Sequence, residues 1–159
     1  MIKKYEFYFN SVLSVFSVVK KEEENHRDTE GGSVMNDVEL SEKVIGASIY
    51  IHKQLGPGLL ENVYKECLYY KLHKSGIYVE KEKPLPVFFE DTKLDCGYRL
   101  DLLVEQILVV ECKSVKQLED IHLAQILTYL KLGNYKTGLL INFNVLLLKD
   151  GIKRIKNGY

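Results

Sequence analysis

Arg99-Leu100-Asp101-Leu102-Leu103-Val104-Glu105-Gln106-Ile107-Leu108-Val109-Val110-Glu111-Cys112-Lys113 is the stretch whose reading decides the fold. Two apolar runs, Leu102 to Val104 and Ile107 to Val110, flank a polar break at Glu105-Gln106. That spacing predicts two strands joined by a tight turn, which sets Asp101 nearly opposite Glu111. Side chains alternate faces along a strand, so Glu111 and Lys113 share one face and Cys112 takes the other. Two carboxylates and an ammonium then project together from an otherwise apolar sheet, where charges are rare unless paired.

The plainer explanation of Glu111 and Lys113 is a cross-strand charge ladder on a solvated face. Against it, Ile107 and Val109 precede them on the same face, which marks that face as mostly buried. Close carboxylates repel, and both keep their charge at neutral pH only with a cation between them. Mg²⁺ is the usual answer, a hard ion that takes oxygen ligands and retains waters. Lys113 beside such an ion is placed to hold a water or to balance charge growing on a phosphorus centre. Metal-assisted hydrolysis of a phosphodiester is the reaction these parts suit best. The Cys112 carbonyl, at a strand edge near the site, is a further candidate ligand.

Outward from this hairpin, apolar residues recur at helical spacing from Asp37 to Leu55, with Asn36 or Asp37 as cap and Glu39 in the first turn. Gly56-Pro57-Gly58 ends that helix. A second helix is expected over about 59–74, stopped by Ser75-Gly76. Strand material follows over 77–83 and 85–89, before the strands at 98–104 and 107–113. A third helix over about 119–132 leads to a strand at 137–143, apolar on both faces as a covered central strand requires. The helix between Lys113 and Thr137 is then a crossover between parallel strands. Residues 145–149 and 152–155 are expected to close the chain as a hairpin around Asp150-Gly151.

The 159 residues carry 22 basic and 22 acidic side chains, so no global basic field marks a nucleic-acid partner, although a local groove can still be basic. Cys67, Cys96 and Cys112 are odd in number and fit no metal spacing, which fits reduced thiols in a cytoplasmic protein. Residues 1–34 differ in composition: an apolar stretch from Phe7 to Val19 is followed by the polar run Lys20 to Asp28. The stretch is too short and too polar to span a bilayer, and no small-residue cleavage site follows it. Glu30-Gly31-Gly32 can be encoded by GAA-GGA-GGT, a strong bacterial ribosome-binding sequence, with Ser33-Val34 as spacer before Met35. Residues 1–34 are therefore expected to be translated upstream sequence or a disordered tail, and 35–159 a single domain. The latter carries 17 basic and 16 acidic residues.

Asp101 with Glu111-x-Lys113 resembles the active-site signature of the PD-(D/E)XK nuclease superfamily, with Leu100 where a proline usually precedes the Asp. The superfamily core has the element order just derived. Gly58-Leu59-Leu60-Glu61-Asn62-Val63-Tyr64 resembles the motif of the GxxExxY proteins, a small bacterial and archaeal branch of that superfamily. Residues 51–58, Gly97 to Asp101 and Gly138 to Phe143 look like the same branch. Gln125-Ile126-Leu127-Thr128-Tyr129 matches the Q-x-x-x-Y pattern of RecB-like nucleases, with Gln125 and Tyr129 on one helix face. The resemblance covers about residues 38–156. It implies an α/β, restriction-endonuclease-like core: a mixed central sheet flanked by helices in α-α-β-β-β-α-β order. It also implies a metal-dependent nuclease acting on DNA with Mg²⁺ or Mn²⁺. Asp101 and Glu111 would be metal ligands and Lys113 the catalytic lysine. Glu61 would add a carboxylate to the metal's inner or outer shell, and Gln125 and Tyr129 would orient substrate phosphate or the lysine.

Other readings stay open beside these. The chain can instead be a non-catalytic module that keeps the fold and binds nucleic acid or a protein partner. Glu61 also suits a helix first turn, where the dipole favours an acid. Gln125 and Tyr129 also suit the polar edge of an amphipathic helix. His52, among apolar residues, reads as a packed core histidine before a ligand; His26, His73 and His122 show no partner pattern. Arg99 shares the face of Asp101 and is free to pair with it or with phosphate. Lys149, Lys153, Arg154 and Lys156 form a basic cluster, either a solvated edge or a phosphate-tracking surface. The eleven tyrosines offer stacking surfaces for unpaired bases, though most fall on helix faces. No membrane partner is expected; a homodimer is one way for so small a domain to grip duplex DNA.

Overall fold

Asn36 starts the first helix as a cap. Its side-chain oxygen accepts the amides of Val38 and Glu39 at 2.9 and 3.0 Å, and Glu39 reaches back to the Asn36 amide at 3.3 Å. The computed structural model describes residues 35–158; the expectations for residues 1–34 lie outside the described residues. Helix α1 (Asp37–Leu55) buries Leu40, Val44, Ser48, Ile51, His52 and Leu55, and stops where Gly56 turns to φ +71°. Helix α2 (Glu61–Lys74) follows one short loop later and buries Tyr64, Lys65, Cys67, Leu68 and Leu72.

Strands β1 (Val79–Phe89), β2 (Thr92–Val104), β3 (Leu108–Lys113), β4 (Thr137–Asn142) and β5 (Ile152–Lys156) form one sheet in sequential order. Neighbours are antiparallel except β3 and β4, which run parallel and are joined through helix α3 (Asp120–Leu132). The sheet is therefore mixed, and the fold is the α/β, restriction-endonuclease-like arrangement expected. Every residue of β3 and β4 is buried, as continuous apolar runs require of inner strands. Val109 and Leu140 meet Ile126, Tyr129 and Leu130 of α3 in one core cluster. Residues 105–107 join β2 to β3, with Val104 paired to Leu108, and Glu105 and Gln106 both take positive φ, 48° and 60°. This is the primed geometry that matches strand twist.

Two expectations need correction. Residues 77–83 and 85–89 are not separate pieces: one strand runs through Pro84 and Pro86. It lies at the sheet edge, where missing amides break no ladder on the outer side. Residues 145–149 are not a strand either. The chain bends after Phe143, makes a 3₁₀ turn at Leu148–Gly151, and β5 pairs with β4 instead. His52 Nε2 lies 2.8 Å from the Val145 carbonyl and fastens this loop to α1, so His52 is the packed core histidine expected.

Candidate functional site

The β2–β3 ladder pairs Leu102 with Val110, so the next position outward brings Asp101 opposite Glu111. There a side chain continues the hydrogen bonding: Asp101 Oδ2 accepts the Cys112 amide at 2.9 Å. One residue on each side of Cys112, Glu111 and Lys113 project together, and Lys113 Nζ donates to Glu111 Oε1 at 2.7 Å. Glu111 is 3% exposed, and its second oxygen, Oε2, is buried with no hydrogen-bond partner. Burial first, then the neighbouring Asp101 charge, pushes the Glu111 carboxyl up to about 7 despite the Lys113 bond. Burial pulls the Lys113 ammonium down, but the Glu111 hydrogen bond and the surrounding carboxylates outweigh it and hold Lys113 above its usual value. The Cys112 side chain is fully buried, and burial holds its thiol well above the ordinary range.

Glu61 reaches the same place from the first turn of α2. Its Oε1 lies 3.9 Å from Lys113 Nζ, and its Oε2 accepts the Ser114 amide at 3.3 Å. Tyr64, one helical turn on, has a different job. Its ring stacks on Phe143 with centroids 4.4 Å apart and planes 8° off parallel. Its hydroxyl donates to the Gly56 carbonyl at 2.6 Å and accepts the Leu59 amide at 3.2 Å. The loop before α2 is thus tied to the core, and Ser114 Oγ ties it to the end of β3 through the Leu59 carbonyl at 2.6 Å. The Gly58-to-Tyr64 string therefore combines a carboxylate beside Lys113 with the anchor that sets its position.

Gln125 Nε2 donates to Tyr129 Oη at 2.6 Å, so these two are bonded to each other. Burial raises the Tyr129 hydroxyl pKa, and the charges of Glu111, Lys113 and Asp101 all act on it, which places the ring beside the site. The Tyr98 ring lies tilted against it, with centroids 5.2 Å apart.

Four contributors escaped the sequence reading. Lys65 of α2 is buried, with Nζ 3.4 Å from Asp101 Oδ1 and paired with Glu82 of β1. Its signal was present: Lys65 lies four residues after Glu61, on the same helix face. Glu82 lacked one until the β1–β2 register is known. Ser114 carries the contacts above. Asn142 accepts the Val115 amide at 3.0 Å and donates to the Val115 carbonyl at 2.9 Å, locking the end of β3 to β4. Arg99 is exposed and sits two positions from Asp101 in β2. Of the basic cluster, Arg154 and Lys156 pair with Asp37, whose carboxylate also accepts the Thr137 hydroxyl at 2.6 Å. Those two serve as a brace between α1 and the sheet. The His122 ring accepts the Glu119 amide at 2.9 Å at the start of α3.

Among the described residues, no group of three or more His, Cys, Asp or Glu side chains is gathered to hold a metal ion. Glu61 does not join Asp101 and Glu111 in such a group; its oxygens go to Lys113 and Ser114. A hard divalent ion nevertheless fits the remaining donors, two facing carboxylates and a backbone carbonyl, because waters complete its shell. The unpartnered, buried Glu111 Oε2 is the atom that lacks what such an ion provides. No helix among the described residues is long and apolar enough to cross a membrane.

A family model described as the PD-(D/E)XK nuclease superfamily matches residues 38–155, the span from α1 to β5. No curated protein and no solved structure matches the chain.

Proposed function

We propose that this chain, which belongs to the PD-(D/E)XK nuclease superfamily, is a divalent-metal-dependent nuclease that hydrolyses DNA phosphodiester bonds. Within the superfamily we place it in the GxxExxY branch, on Gly58, Glu61 and Tyr64. The observation that carries the proposal is Glu111: a buried carboxylate with an orphaned oxygen, raised to about 7 by burial and by Asp101 opposite. Such a group is costly in a resting protein unless a cation joins it.

In this reading Asp101, Glu111 and the Cys112 carbonyl hold Mg²⁺ or Mn²⁺. Bound there, the ion supplies a water of lowered pKa and offsets charge on the phosphate. Lys113 holds a proton throughout and points it at the attacking water or at a non-bridging oxygen as negative charge grows there. Glu61, beside Lys113 and fixed by the Ser114 amide, keeps that ammonium aimed. Gln125 and Tyr129 act as a bonded pair, with the tyrosine hydroxyl free to turn toward substrate phosphate. Asn142 and Tyr64 hold the strand end and the helix start that carry these groups, so the geometry is set before substrate arrives.

One observation favours the second reading, a module that binds without cutting. Asp101 and Glu111 each already have a lysine partner, Lys65 and Lys113, so the fold can stand without metal. Cleavage of labelled single- and double-stranded DNA with Mg²⁺ or Mn²⁺ decides between them. Asp101→Ala and Lys113→Ala are expected to abolish metal-dependent cutting. Cutting that survives both ends the nuclease assignment, and salt-sensitive DNA binding without any turnover establishes the module.

A further inference from the structure

Lys65 is a second ammonium at the candidate site, on the side of Asp101 away from Lys113's partner Glu111. Its Nζ lies 3.4 Å from Asp101 Oδ1 and pairs with Glu82. Glu82 falls between the Lys81–Leu102 and Lys83–Leu100 pairs, so it stands opposite Asp101 in the ladder. It takes φ +53°, a left-handed conformation that a glutamate adopts only where its surroundings impose it. Backbone strain and ion pair coincide at one residue, and both bring the Glu82 carboxylate and the Lys65 ammonium together beside Asp101.

Charge then limits what the site can take. Asp101, Glu111, Glu61 and Glu82 carry four negative charges when ionised, and Lys65 and Lys113, the lysines paired with them, carry two positive. One divalent cation balances the remainder; a second would leave an excess of two positive charges in a partly desolvated cleft. Glu82 and Asp101 are the two carboxylates a second ion would use, and a tethered ammonium already sits between them. We infer that Lys65 is a resident cation that takes the place of a second metal ion, so that the site binds a single divalent ion between Asp101 and Glu111. Lys65 is here a positioning residue, acting through Asp101 and Glu82. The inference rests on the metal-dependent reading proposed above.

The test counts Mn²⁺ bound to the full chain, stripped with chelator, by electron paramagnetic resonance of the free ion during titration. Wild type is expected to bind one Mn²⁺ per chain, and Lys65→Arg also one. Lys65→Gln is expected to bind two, the second lost again in Lys65→Gln/Glu82→Gln. Two ions in wild type, or one in folded Lys65→Gln, overturns the inference. Should Lys65→Gln fail to fold, Glu82→Gln decides the matter. That change leaves Lys65 facing Asp101 alone and is expected to weaken the single Mn²⁺ by about fivefold. Unchanged affinity overturns the inference. A wild type that binds no Mn²⁺ removes the metal-dependent reading itself, a result distinct from binding two.

Discussion

Glu111→Gln should make this protein more stable, and only at high pH. The folded chain raises the Glu111 carboxyl from 4.5 to about 7, with burial as the largest cause. A carboxyl whose folded pKa lies above its unfolded value contributes stability that is fully present below the unfolded pKa. That stability is lost as pH rises through the folded pKa, because ionisation is easier in the unfolded chain. At about 1.4 kcal/mol per pH unit, the loss reaches about 3 kcal/mol once the pH exceeds 7. Glutamine keeps the shape and the polar end of a protonated glutamate but cannot ionise. Urea denaturation in chelator from pH 4 to pH 8.5 measures the effect. The two stability curves should nearly coincide near pH 4 and separate by about 3 kcal/mol at pH 8.5, with Glu111→Gln on top. Saturating Mg²⁺ should then narrow the gap by stabilising wild type alone. Parallel curves, or a wild type more stable than Glu111→Gln at pH 8.5 in chelator, would refute the account of Glu111 as an unbalanced buried charge.

The frame around the site gives three further expectations. Asp37 is held at about 2 by the hydrogen bonds from Lys156 and Thr137, so its contribution is present above its ordinary value of 3.8 and fades as pH falls toward 2. Its side chain is 31% exposed, so solvent screening reduces the benefit to about 1 kcal/mol; Asp37→Asn should lose that at pH 7 and nothing below pH 2, read by thermal melts. Tyr64→Phe keeps the stacked ring but strands the Gly56 carbonyl and the Leu59 amide, so urea midpoints should report a loss of about 1–3 kcal/mol. A Cβ at Gly138 meets the flexible ends of Ile126 at 2.9 Å and Leu130 at 3.3 Å, whereas one at Gly151 overlaps the Asn142 backbone oxygen. Gly138→Ala should therefore cost about 1–3 kcal/mol and Gly151→Ala more, and equal melting temperatures for the two would contradict the packing.

What could be read from the chain alone follows the range of the interactions involved. Asp101 and Glu111 were legible as a pair because a short, tight turn between two apolar runs fixes the register of everything that follows it, and strand alternation then puts Lys113 beside Glu111. The crossover was legible because β4 is apolar on both faces, as a central strand covered on both sides is. Lys65 shares a helix face with Glu61, but its link to Asp101 exists only after α2 docks on the sheet, and Glu82 joins them only through the β1–β2 register. The last hairpin was misread for a related reason. Val145 to Leu148 is apolar enough for a strand, but His52 takes the Val145 carbonyl and Gly151 packs on the Asn142 backbone. Those tertiary contacts turn the loop and hand the pairing with β4 to β5. Pro84 argued for a break in β1, and edge position, invisible from local sequence, removed the penalty.

The same contacts explain why a site so unfavourable in itself survives in the fold. Glu111 lies in the fully buried strand β3, where an ionised carboxylate opposes folding at neutral pH. Nothing local compensates beyond one lysine. The compensation comes from the frame: Asn142 closing β3 on β4, Tyr64 fixing the entry to α2, and Asp37 bracing α1 against β4 and β5. The first two join a side chain to backbone beside the site, the third joins side chains at the opposite end of β4, and none involves Asp101 or Glu111 directly. Loss of a frame contact should therefore lower stability and leave the Glu111 pKa high. Loss of Glu111 should raise stability and destroy the site. Opposite signs from neighbouring residues are what separates a site held under strain from one that merely happens to be buried.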